Sequence, residues 1–314
     1  MSEARRAAAP AKVNLALAVT GRRADGFHTL RSVFLRLGLH DDLEVRLQAD
    51  PQAEDDLVVS GAPDCPVADN LVLRAAESLR EVAGERLPGL AFALHKRIPV
   101  AAGLAGGSSD AAAALDLAAE AWGLRLHPAT RLQVALRLGA DVPFFASGHP
   151  AALVTGIGEG LEALAPPHPP AGILLVTPPR RLATASVFRA LDGVARRERT
   201  AAAHVEELVA RLRGGLDGEG LAALAADLRE ANDLWPAAAM LAPELPALRG
   251  RLEAELERPF LLTGSGPTLL GIYPTPIAAG IAAAHLASSR SPDFDAAAII
   301  ATWSAEGAID EAGD

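Results

Sequence analysis

A glycine-rich segment, PVAAGLAGGSSD, occupies residues 99–110 and separates two stretches of opposite character. The alternating residues 90–96 before it predict a β-strand, and the alanine-rich run after it, which ends at Trp122 and Gly123, predicts a long helix. A chain with this arrangement has to bring the end of a strand and the start of a helix together around one loop. The segment therefore indicates a fold that mixes sheet and helix.

The loop itself is suited to an anion. Gly103, Gly106 and Gly107 allow the backbone to bend sharply and to approach a ligand without a Cβ in the way. The following helix start offers free N–H groups and the positive end of its dipole, so a phosphate bound there needs no lysine. Ser108 and Ser109 are candidates for the helix N-cap, and their hydroxyls could also bind a phosphate or reach its metal. The segment is neither a P-loop nor GxGxxG, and an ordinary connector with a serine cap is the alternative that it leaves open.

Strands and helices are mixed irregularly along the rest of the chain. The first half has predicted strands at 12–20, 29–39, 43–48, 57–60 and 151–155, and predicted helices at 70–83, with Asp69 as N-cap, and 129–138. The second half has predicted strands at 172–177 and 296–303, a strand–loop–strand at 260–273, and helices between 184 and 256 and at 276–287. The proline cluster at 166–170 marks the clearest boundary. The predicted class is α+β with two domains, residues 1–160 and 171–305, followed by an acidic tail at 306–314.

Composition excludes several classes of protein. Half of the 314 residues are apolar, so the chain can bury a sizeable core, built mainly from Ala, Leu and Val. A formal net charge of −10 argues against general nucleic-acid binding and against anionic membranes. The single cysteine, Cys65, excludes an internal disulfide and any cysteine-based zinc site. The sequence shows neither a secretory signal pattern nor a membrane helix, and we expect a cytoplasmic protein.

Lysine and asparagine are rare in this chain. Of the 29 basic residues only Lys12 and Lys96 are lysines, and Asn14, Asn70 and Asn232 are the only asparagines. If biased codon usage replaced both types wherever the exchange was harmless, the survivors mark positions that need a compact ammonium or a neutral amide. Alternation along 12–20 places Lys12 and Asn14 on one side of a strand whose other face is buried. Simpler alternatives are an exposed lysine for Lys96 and helix capping for Asn70 and Asn232.

Three further regions carry candidate chemistry. Asp141, in the segment GADVP, could be a general base presented in a cleft, or a turn aspartate before proline. Phe27 and His28 could offer stacking and a hydrogen bond to a nucleobase, or could be surface turn residues. The segment LTGSGPT at 262–268 could close over phosphates opposite the first loop, or could be a hairpin turn. The histidines show no metal-ligand spacing, so no resident metal site is expected.

Five segments together resemble the superfamily of galactokinase, homoserine kinase, mevalonate kinase and phosphomevalonate kinase. They are PAKVNLALAVTGRRADGFHTL (10–30), DNLVLRA (69–75), KRIPVAAGLAGGSSDAAAAL (96–115), LGADVPFF (138–145) and LLTGSGPTLLGIY (261–273). Within the superfamily, the similarity is greatest to the members that act on a cytidine diphosphate derivative of methylerythritol. The resemblance spans nearly the whole chain, and its first segment together with GADVP is more specific than any glycine-rich loop.

This resemblance implies an N-terminal domain like the second domain of ribosomal protein S5 and a ferredoxin-like C-terminal domain, with the active cleft between them. It implies a small-molecule kinase that uses ATP and Mg²⁺ to phosphorylate the tertiary 2-hydroxyl of the methylerythritol unit, a step of non-mevalonate isoprenoid synthesis. The expected partner is that small-molecule substrate, with no nucleic acid and no membrane. The expected state of the chain is a monomer or weak homodimer.

The resemblance also assigns roles to individual residues. Lys12 and Asp141 match the catalytic pair of the superfamily. The ATP-binding set comprises Asn70, Lys96, Pro99, Val100, Ala101, Ala102, Gly103, Leu104, Ala105, Gly106, Gly107, Ser108 and Ser109. The substrate-binding set comprises Asn14, Phe27, His28, Lys96, Asp141, Gly264, Ser265 and Gly266. The chain departs from the pattern where alanine replaces glycine in the loop, at 101, 102 and 105, and where Phe27 replaces a common tyrosine.

Functions of other classes are less favoured. A sister kinase acting on mevalonate or homoserine would share both glycine loops, but it would not need the pair Phe27 and His28 for a pyrimidine. A non-catalytic nucleic-acid module is disfavoured by the acidic charge and by the lack of a basic stripe with interleaved aromatics. A dinucleotide-dependent dehydrogenase would need a fingerprint that this sequence lacks.

Overall fold

Two long antiparallel strands form the centre of the first half of the molecule. The computed structural model describes residues 3–50, 52–84, 86–194, 200–289 and 297–305. Strand β1 (Arg5–Arg22) pairs along its length with β2 (His28–Leu47), with register shifts between Pro10 and Lys12, Asn14 and Ala16, and Val19 and Gly21. The prediction of two separate strands at 29–39 and 43–48 was wrong, because β2 runs through the polar residues between them without a break.

Four further strands complete a sheet of six. They are β3 (Asp56–Ser60), β4 (Leu90–His95), β5 (Ala151–Gly156) and β6 (Gly160–Leu164), and the order is β3-β4-β2-β5-β6 with β1 on β2. All pairs are antiparallel except β3 with β4. Strand β6 was not predicted, since only its last residue, Leu164, is buried and the segment has little apolar periodicity.

Four helices belong to this half: α1 (Leu71–Ala83), α2 (Gly106–Ala121), α3 (Pro128–Leu138) and α4 (Val142–Ala146). The N-cap of α1 is Asn70 rather than the predicted Asp69, because the Asn70 Oδ1 accepts the Val72 N–H at 3.0 Å. The serine caps predicted for α2 were also wrong. This helix begins at Gly106, with Ala105 as an N-cap in the left-handed region (φ 56°) and no side-chain cap.

The second half contains an antiparallel sheet of four strands in the order β10-β7-β9-β8. Its strands are β7 (Gly172–Thr177), β8 (Phe260–Leu262), β9 (Leu269–Tyr273) and β10 (Ala298–Trp303). Its helices are α5 (Thr184–Leu191), α6 (Ala201–Arg213), α7 (Gly218–Ala223), α8 (Ala225–Leu228), α9 (Trp235–Leu241), α10 (Glu244–Leu256) and α11 (Pro276–Ser288). None of the helices within the described residues is long and apolar enough to cross a bilayer.

One apolar cluster joins the two halves. It contains Val13 and Leu35 from the first sheet together with Ile173 and Leu175 from the second, all fully buried. Strand β1 is consequently buried on both faces from Ala9 to Val19, and the prediction that only one of its faces is buried was wrong. The predicted division into domains stays a prediction, and the acidic tail at 306–314 lies outside the described residues.

Candidate active site

A cavity of about 1170 Å³ opens where strand β1, the glycine loop before α2, the start of α4 and the β8–β9 loop come together. It brings together most of the predicted site residues. Gly266 and Ser109 are the two predicted site residues that do not line it. Those that do are Lys12, Asn14, Phe27, His28, Asn70, Lys96, Asp141, Gly264, Ser265 and the loop from Pro99 to Ser108.

Lys12 and Asp141 form an ion pair at the wall of this cavity. The Lys12 Nζ lies 3.6 Å from the Asp141 Oδ2, donates to the Asn14 Oδ1 at 2.8 Å, and sits 4.3 Å from the centre of the Phe34 ring. The Lys12 side chain is 4% exposed, whereas that of Asp141, at the N-cap of the short helix α4, is 33% exposed. Burial lowers the pKa of the Lys12 ammonium, and the Asp141 carboxylate opposes that shift. A desolvated cation beside an accessible carboxylate is suited to acid–base chemistry.

Asn14 links strand β1 to the second half of the molecule. Its Nδ2 donates to the Ser32 Oγ at 2.8 Å, and its backbone N–H donates to the Thr263 Oγ1, also at 2.8 Å. Ser32 in turn donates to the Ala16 carbonyl. Thr263 belongs to the segment 262–268 that the sequence analysis singled out, whereas Ser32 was missed, and the only signal for it is a small polar residue beside an apolar run. Ser32 holds the Asn14 side-chain amide so that its oxygen faces the ammonium of Lys12, and Thr263 fixes the backbone of Asn14.

The glycine loop makes a close backbone contact with the β8–β9 loop. Gly103 has φ 80°, and a Cβ added to it would lie 3.0 Å from the carbonyl oxygens of Thr263 and Gly266. Ala101 and Ala105 adopt left-handed φ values of 57° and 56°. A left-handed conformation costs a residue with a Cβ about 1–2 kcal/mol. The alanines that replace glycine in this loop are therefore accommodated at the expense of strain at two of three positions.

The first turn of α2 faces the cavity with free N–H groups. The N–H groups of Gly106, Gly107 and Ser108 come before the first N–H that has an acceptor within the helix, which is that of Ser109, donating to the Ala105 carbonyl. Ser108 lines the cavity, but the Ser109 hydroxyl is buried beneath the helix and has no hydrogen-bond partner among the described residues. The start of α2 thus presents three N–H groups to the cavity, where an anion could accept hydrogen bonds from them, as predicted.

Lys96 lies at the base of this loop, and its ammonium is bound by two carboxylates. The Nζ is 2.5 Å from the Asp41 Oδ2 and 2.6 Å from the Asp110 Oδ2, and the side chains of all three are at most 4% exposed. Asp41 and Asp110 were not predicted as site residues: Asp41 lies between two predicted strands, and Asp110 is the last residue of the glycine-rich segment 99–110. Burial lowers the pKa of Lys96, but the two carboxylates outweigh it and raise that pKa above its ordinary value.

An aromatic platform lies at another wall of the cavity. Phe27 is 62% exposed, and His28 stacks on Phe188 of α5 with ring centroids 5.2 Å apart. The His28 Nε2 lies 2.9 Å from the Asp192 Oδ1. Sequence reasoning missed Phe188 and Asp192, although a phenylalanine in a chain that is only 4% aromatic is a signal that could have been followed.

Asn232 has a role that the sequence did not reveal. Its Nδ2 donates to the carbonyls of Leu262 and Gly264, each at 2.9 Å, and its Oδ1 accepts the Leu234 N–H. The neighbouring Asp233 accepts the Val19 N–H at 2.8 Å. The segment thus connects strand β1 to the β8–β9 loop, which is more than the predicted helix capping.

The family model described as "GHMP kinases N terminal domain" matches residues 70–149. Over 266 residues the chain is 41% identical to the 4-diphosphocytidyl-2-C-methyl-D-erythritol kinase of Pelotomaculum thermopropionicum, covering 85% of this chain and 88% of the relative. Over 296 residues it is 40% identical to the kinase of the same name from Mesorhizobium japonicum, covering 92% and 93%.

A crystal structure of 4-(cytidine 5'-diphospho)-2C-methyl-D-erythritol kinase has a similar fold. It matches with a TM-score of 0.72 and 33% identity, covering 96% of this chain and 100% of that one. The predicted α+β fold class is confirmed by this match. Identity of this level over nearly the full length of both partners confirms the family predicted from the sequence. The chain belongs to the family of 4-diphosphocytidyl-2-C-methyl-D-erythritol kinases, within the GHMP kinases.

Proposed function

We propose that this chain transfers the γ-phosphoryl group of ATP to the 2-hydroxyl of 4-diphosphocytidyl-2-C-methyl-D-erythritol, a step of non-mevalonate isoprenoid synthesis. The observation that carries the proposal is the pair Lys12 and Asp141, 3.6 Å apart in a cavity that also holds a helix start with free amides and an aromatic platform. The names and identities of the relatives support it from an independent direction. A cytoplasmic location and a monomeric or weakly dimeric state stay predictions.

Asp141 is the proposed proton acceptor. A tertiary alcohol is a poor nucleophile, so its O–H proton passes to the Asp141 carboxylate as the oxygen bonds to the γ-phosphorus and ADP leaves. The 33% exposure of Asp141 leaves the carboxylate accessible from the cavity. Lys12 lies 3.6 Å from that carboxylate and stabilises negative charge on the transferring group. Because Lys12 is buried, its charge is screened by little water and acts strongly at short range.

The triphosphate is proposed to bind at the start of α2. The amides of Gly106, Gly107 and Ser108 supply donors, and the helix dipole favours an anion at that end. Mg²⁺ would arrive with the triphosphate, because no group of three or more His, Cys, Asp or Glu within the described residues could hold a metal. The Ser108 hydroxyl and the Asp141 carboxylate, which both line the cavity, are hard oxygen donors of the kind that Mg²⁺ accepts. When bound, the ion neutralises charge on the phosphates.

The cytosine of the substrate is proposed to lie against Phe27 and Phe188. Phe27 has an exposed ring, and Phe188 already supports the imidazole of His28 in the wall of the same cavity. Offset stacking on such rings contributes about 0.5–1.5 kcal/mol beyond burial of area. Gly264 and Ser265 in the β8–β9 loop close the cavity between this platform and the glycine loop.

The test is a comparison of acceptors with the full chain and MgATP. We expect ADP release with 4-diphosphocytidyl-2-C-methyl-D-erythritol and none above background with mevalonate or homoserine. Phosphorus NMR of the product should show a new phosphomonoester with the diphosphate intact. Turnover of mevalonate or homoserine without turnover of the cytidylated substrate would instead establish a sister kinase and contradict the proposal.

A further inference from the structure

A buried cluster of three charged side chains lies beneath the glycine loop. Two carboxylates, of Asp41 and Asp110, share the single ammonium of Lys96 at 2.5 and 2.6 Å. Two buried carboxyl groups therefore share one cation at the base of a loop that is proposed to receive a triphosphate. Burying a charge without full compensation is costly, so such a cluster is weak as a device for stability alone.

The cluster joins the two ends of the loop to the sheet. Lys96 directly follows strand β4 and precedes the loop, whereas Asp110 lies one turn inside helix α2, after the loop. Asp41 belongs to strand β2, and its Oδ1 accepts the backbone N–H groups of Arg97 and Ile98 at 2.5 and 2.8 Å. The residues before and after the loop are thus tied to each other and to the same point of the central strand.

The ammonium of Lys96 also lies directly against the start of α2. A Cβ added to Gly106 would lie 3.2 Å from the Lys96 Nζ. The ammonium is thus packed against the very residue whose amide is proposed to face the phosphates. Two of its three N–H bonds are donated to carboxylates, which leaves little capacity for direct contact with a nucleotide.

The carboxyl of Asp110 is perturbed by its burial and held by a single polar contact. Burial raises the pKa of Asp110 to about 7, against the opposing effect of Lys96. The second oxygen of Asp110, Oδ1, is buried without a partner among the described residues. The contact that Asp110 makes through Oδ2 with Lys96 is therefore the main polar interaction holding the first turn of α2 to the residue before the loop.

We infer that Asp110 and Lys96 are positioning residues that close the ATP loop at its base and set the direction of the first amides of α2. They act on ATP through the loop and not by contact, which replaces the direct nucleotide and substrate contacts predicted for Lys96. The inference rests on the proposed function, since it takes the loop as the ATP site.

The decisive variant is Asp110→Ala, compared with Asp110→Asn. Asp110→Ala removes the hydrogen bond between Lys96 and helix α2. It leaves Lys96 paired with Asp41 alone, so the remaining buried charges balance. Asp110→Asn keeps an oxygen that accepts from Lys96. The matched control is Asp116→Ala, which removes an aspartate from the same helix whose ion pair with Arg131 is partly exposed. For each protein, KM for both substrates, kcat, and the Kd of a non-hydrolysable ATP analogue are measured, the last by calorimetry.

We expect Asp110→Ala to raise the KM for ATP and the Kd of the analogue by about tenfold or more, as fits the loss of a charge-assisted hydrogen bond. The KM for the cytidylated substrate and kcat should change by less than about twofold, a pattern typical of lost ground-state binding. Asp110→Asn should restore wild-type affinity for the analogue, and Asp116→Ala should match wild type.

An unchanged Kd in Asp110→Ala overturns the inference, as does an equal rise in both KM values, which would indicate general loosening. Failure of Asp110→Asn to restore affinity overturns it too, since charge and not the tie would then be responsible. If Asp110→Ala does not fold, Asp110→Ser makes the same comparison, because its hydroxyl is too short to reach Lys96. Absence of ATP turnover and of analogue binding in the wild-type chain contradicts the proposed function instead.

Discussion

Because this chain uses arginine almost everywhere else, an exchange of Lys12 for arginine tests whether position 12 requires a lysine. Every basic residue except Lys12 and Lys96 is an arginine, so Lys12→Arg would be harmless at an ordinary surface position. In the structure the ammonium is packed between the Asn14 amide, the Phe34 ring and Asp141. The larger planar guanidinium cannot reproduce this compact arrangement.

We therefore predict that Lys12→Arg lowers kcat by about 100-fold or more, because charge at the reacting group is then misplaced. Steady-state kinetics measures the change, and the Kd of an ATP analogue should stay within about threefold of wild type if the effect is on the chemical step. Arg97→Lys, at an exposed ion pair with Asp42, is the matched exchange and should leave kcat unaltered. Turnover near the wild-type rate in Lys12→Arg would remove Lys12 from the catalytic pair.

Gly107 allows a test in which stability and binding move in opposite directions. It lies in the first turn of α2, and the nearest atom to an added Cβ is the Leu71 Cδ1 at 3.9 Å. Gly107→Ala should stabilise the free chain by about 0.5–1 kcal/mol, as for any glycine in a helix. It should also raise the KM for ATP, because the proposed phosphate position is where the methyl group would lie. Differential scanning calorimetry and ATP kinetics measure the two effects.

Gly250 is the control for that experiment. It lies within α10, and nothing is within 4 Å of an added Cβ. Gly250→Ala should give the same gain in stability with no effect on ATP. If Gly107→Ala also left the KM for ATP unaltered, the phosphates would have to bind elsewhere.

At the scale of elements, the side-chain amide of Asn232 donates two hydrogen bonds to backbone carbonyls at the start of the β8–β9 loop. Asn232→Asp replaces two donated N–H bonds with carboxylate lone pairs that face the carbonyls of Leu262 and Gly264. We predict a fall in kcat/KM for the cytidylated substrate of about tenfold or more, since a loop displaced by a fraction of an ångström misplaces the acceptor. The control is Asp217→Asn, at the N-cap of α7 away from the cavity, which keeps a capping oxygen and should leave both the Tm and kcat/KM unchanged. Equal kinetics for both variants would contradict a role of Asn232 in the loop.

Strands whose residues and immediate neighbours determine them were predicted correctly, whereas a strand that depends on a distant partner was not. Strand β7 was predicted at 172–177, as observed, because an apolar run is bounded by proline on both sides. Strand β2 was predicted as two, since the polar residues at 40–42 interrupt its pattern. Asp41 can lie inside that strand because Lys96, 55 residues away, compensates its charge. A pattern read along the chain contains no information about such a partner.

The same distinction separates the site residues that were predicted from those that were not. Lys12 and Asn14 could be found because they share one strand face and because their residue types are rare in this chain. Phe188 and Asn232 reach the site only through the packing of α5 and through the pairing of 231–233 with strand β1. Ser109 was predicted to bind ATP from its place in the loop, but the helix starts earlier than expected and turns its side chain away from the cavity.

At the scale of the whole molecule, the buried side chains cross the predicted domain boundary. Val13 and Leu35 pack in one cluster with Ile173 and Leu175, and the cavity takes its walls from both halves. Neither half can lose its structure without exposing apolar surface of the other. We therefore expect the two halves to unfold together in a single cooperative transition.

We predict one calorimetric transition, with a van't Hoff enthalpy equal to the calorimetric enthalpy. Leu79→Ala, in the core of the first half, and Leu245→Ala, in the core of the second, should each lower that same transition by the equivalent of about 2–5 kcal/mol. An ATP analogue at about 100 times its Kd should raise it by the equivalent of about 2.7 kcal/mol in both variants. Two separable transitions, with Leu79→Ala and the analogue affecting only one of them, would show instead that the halves unfold independently and that the shared cluster contributes little to holding them together.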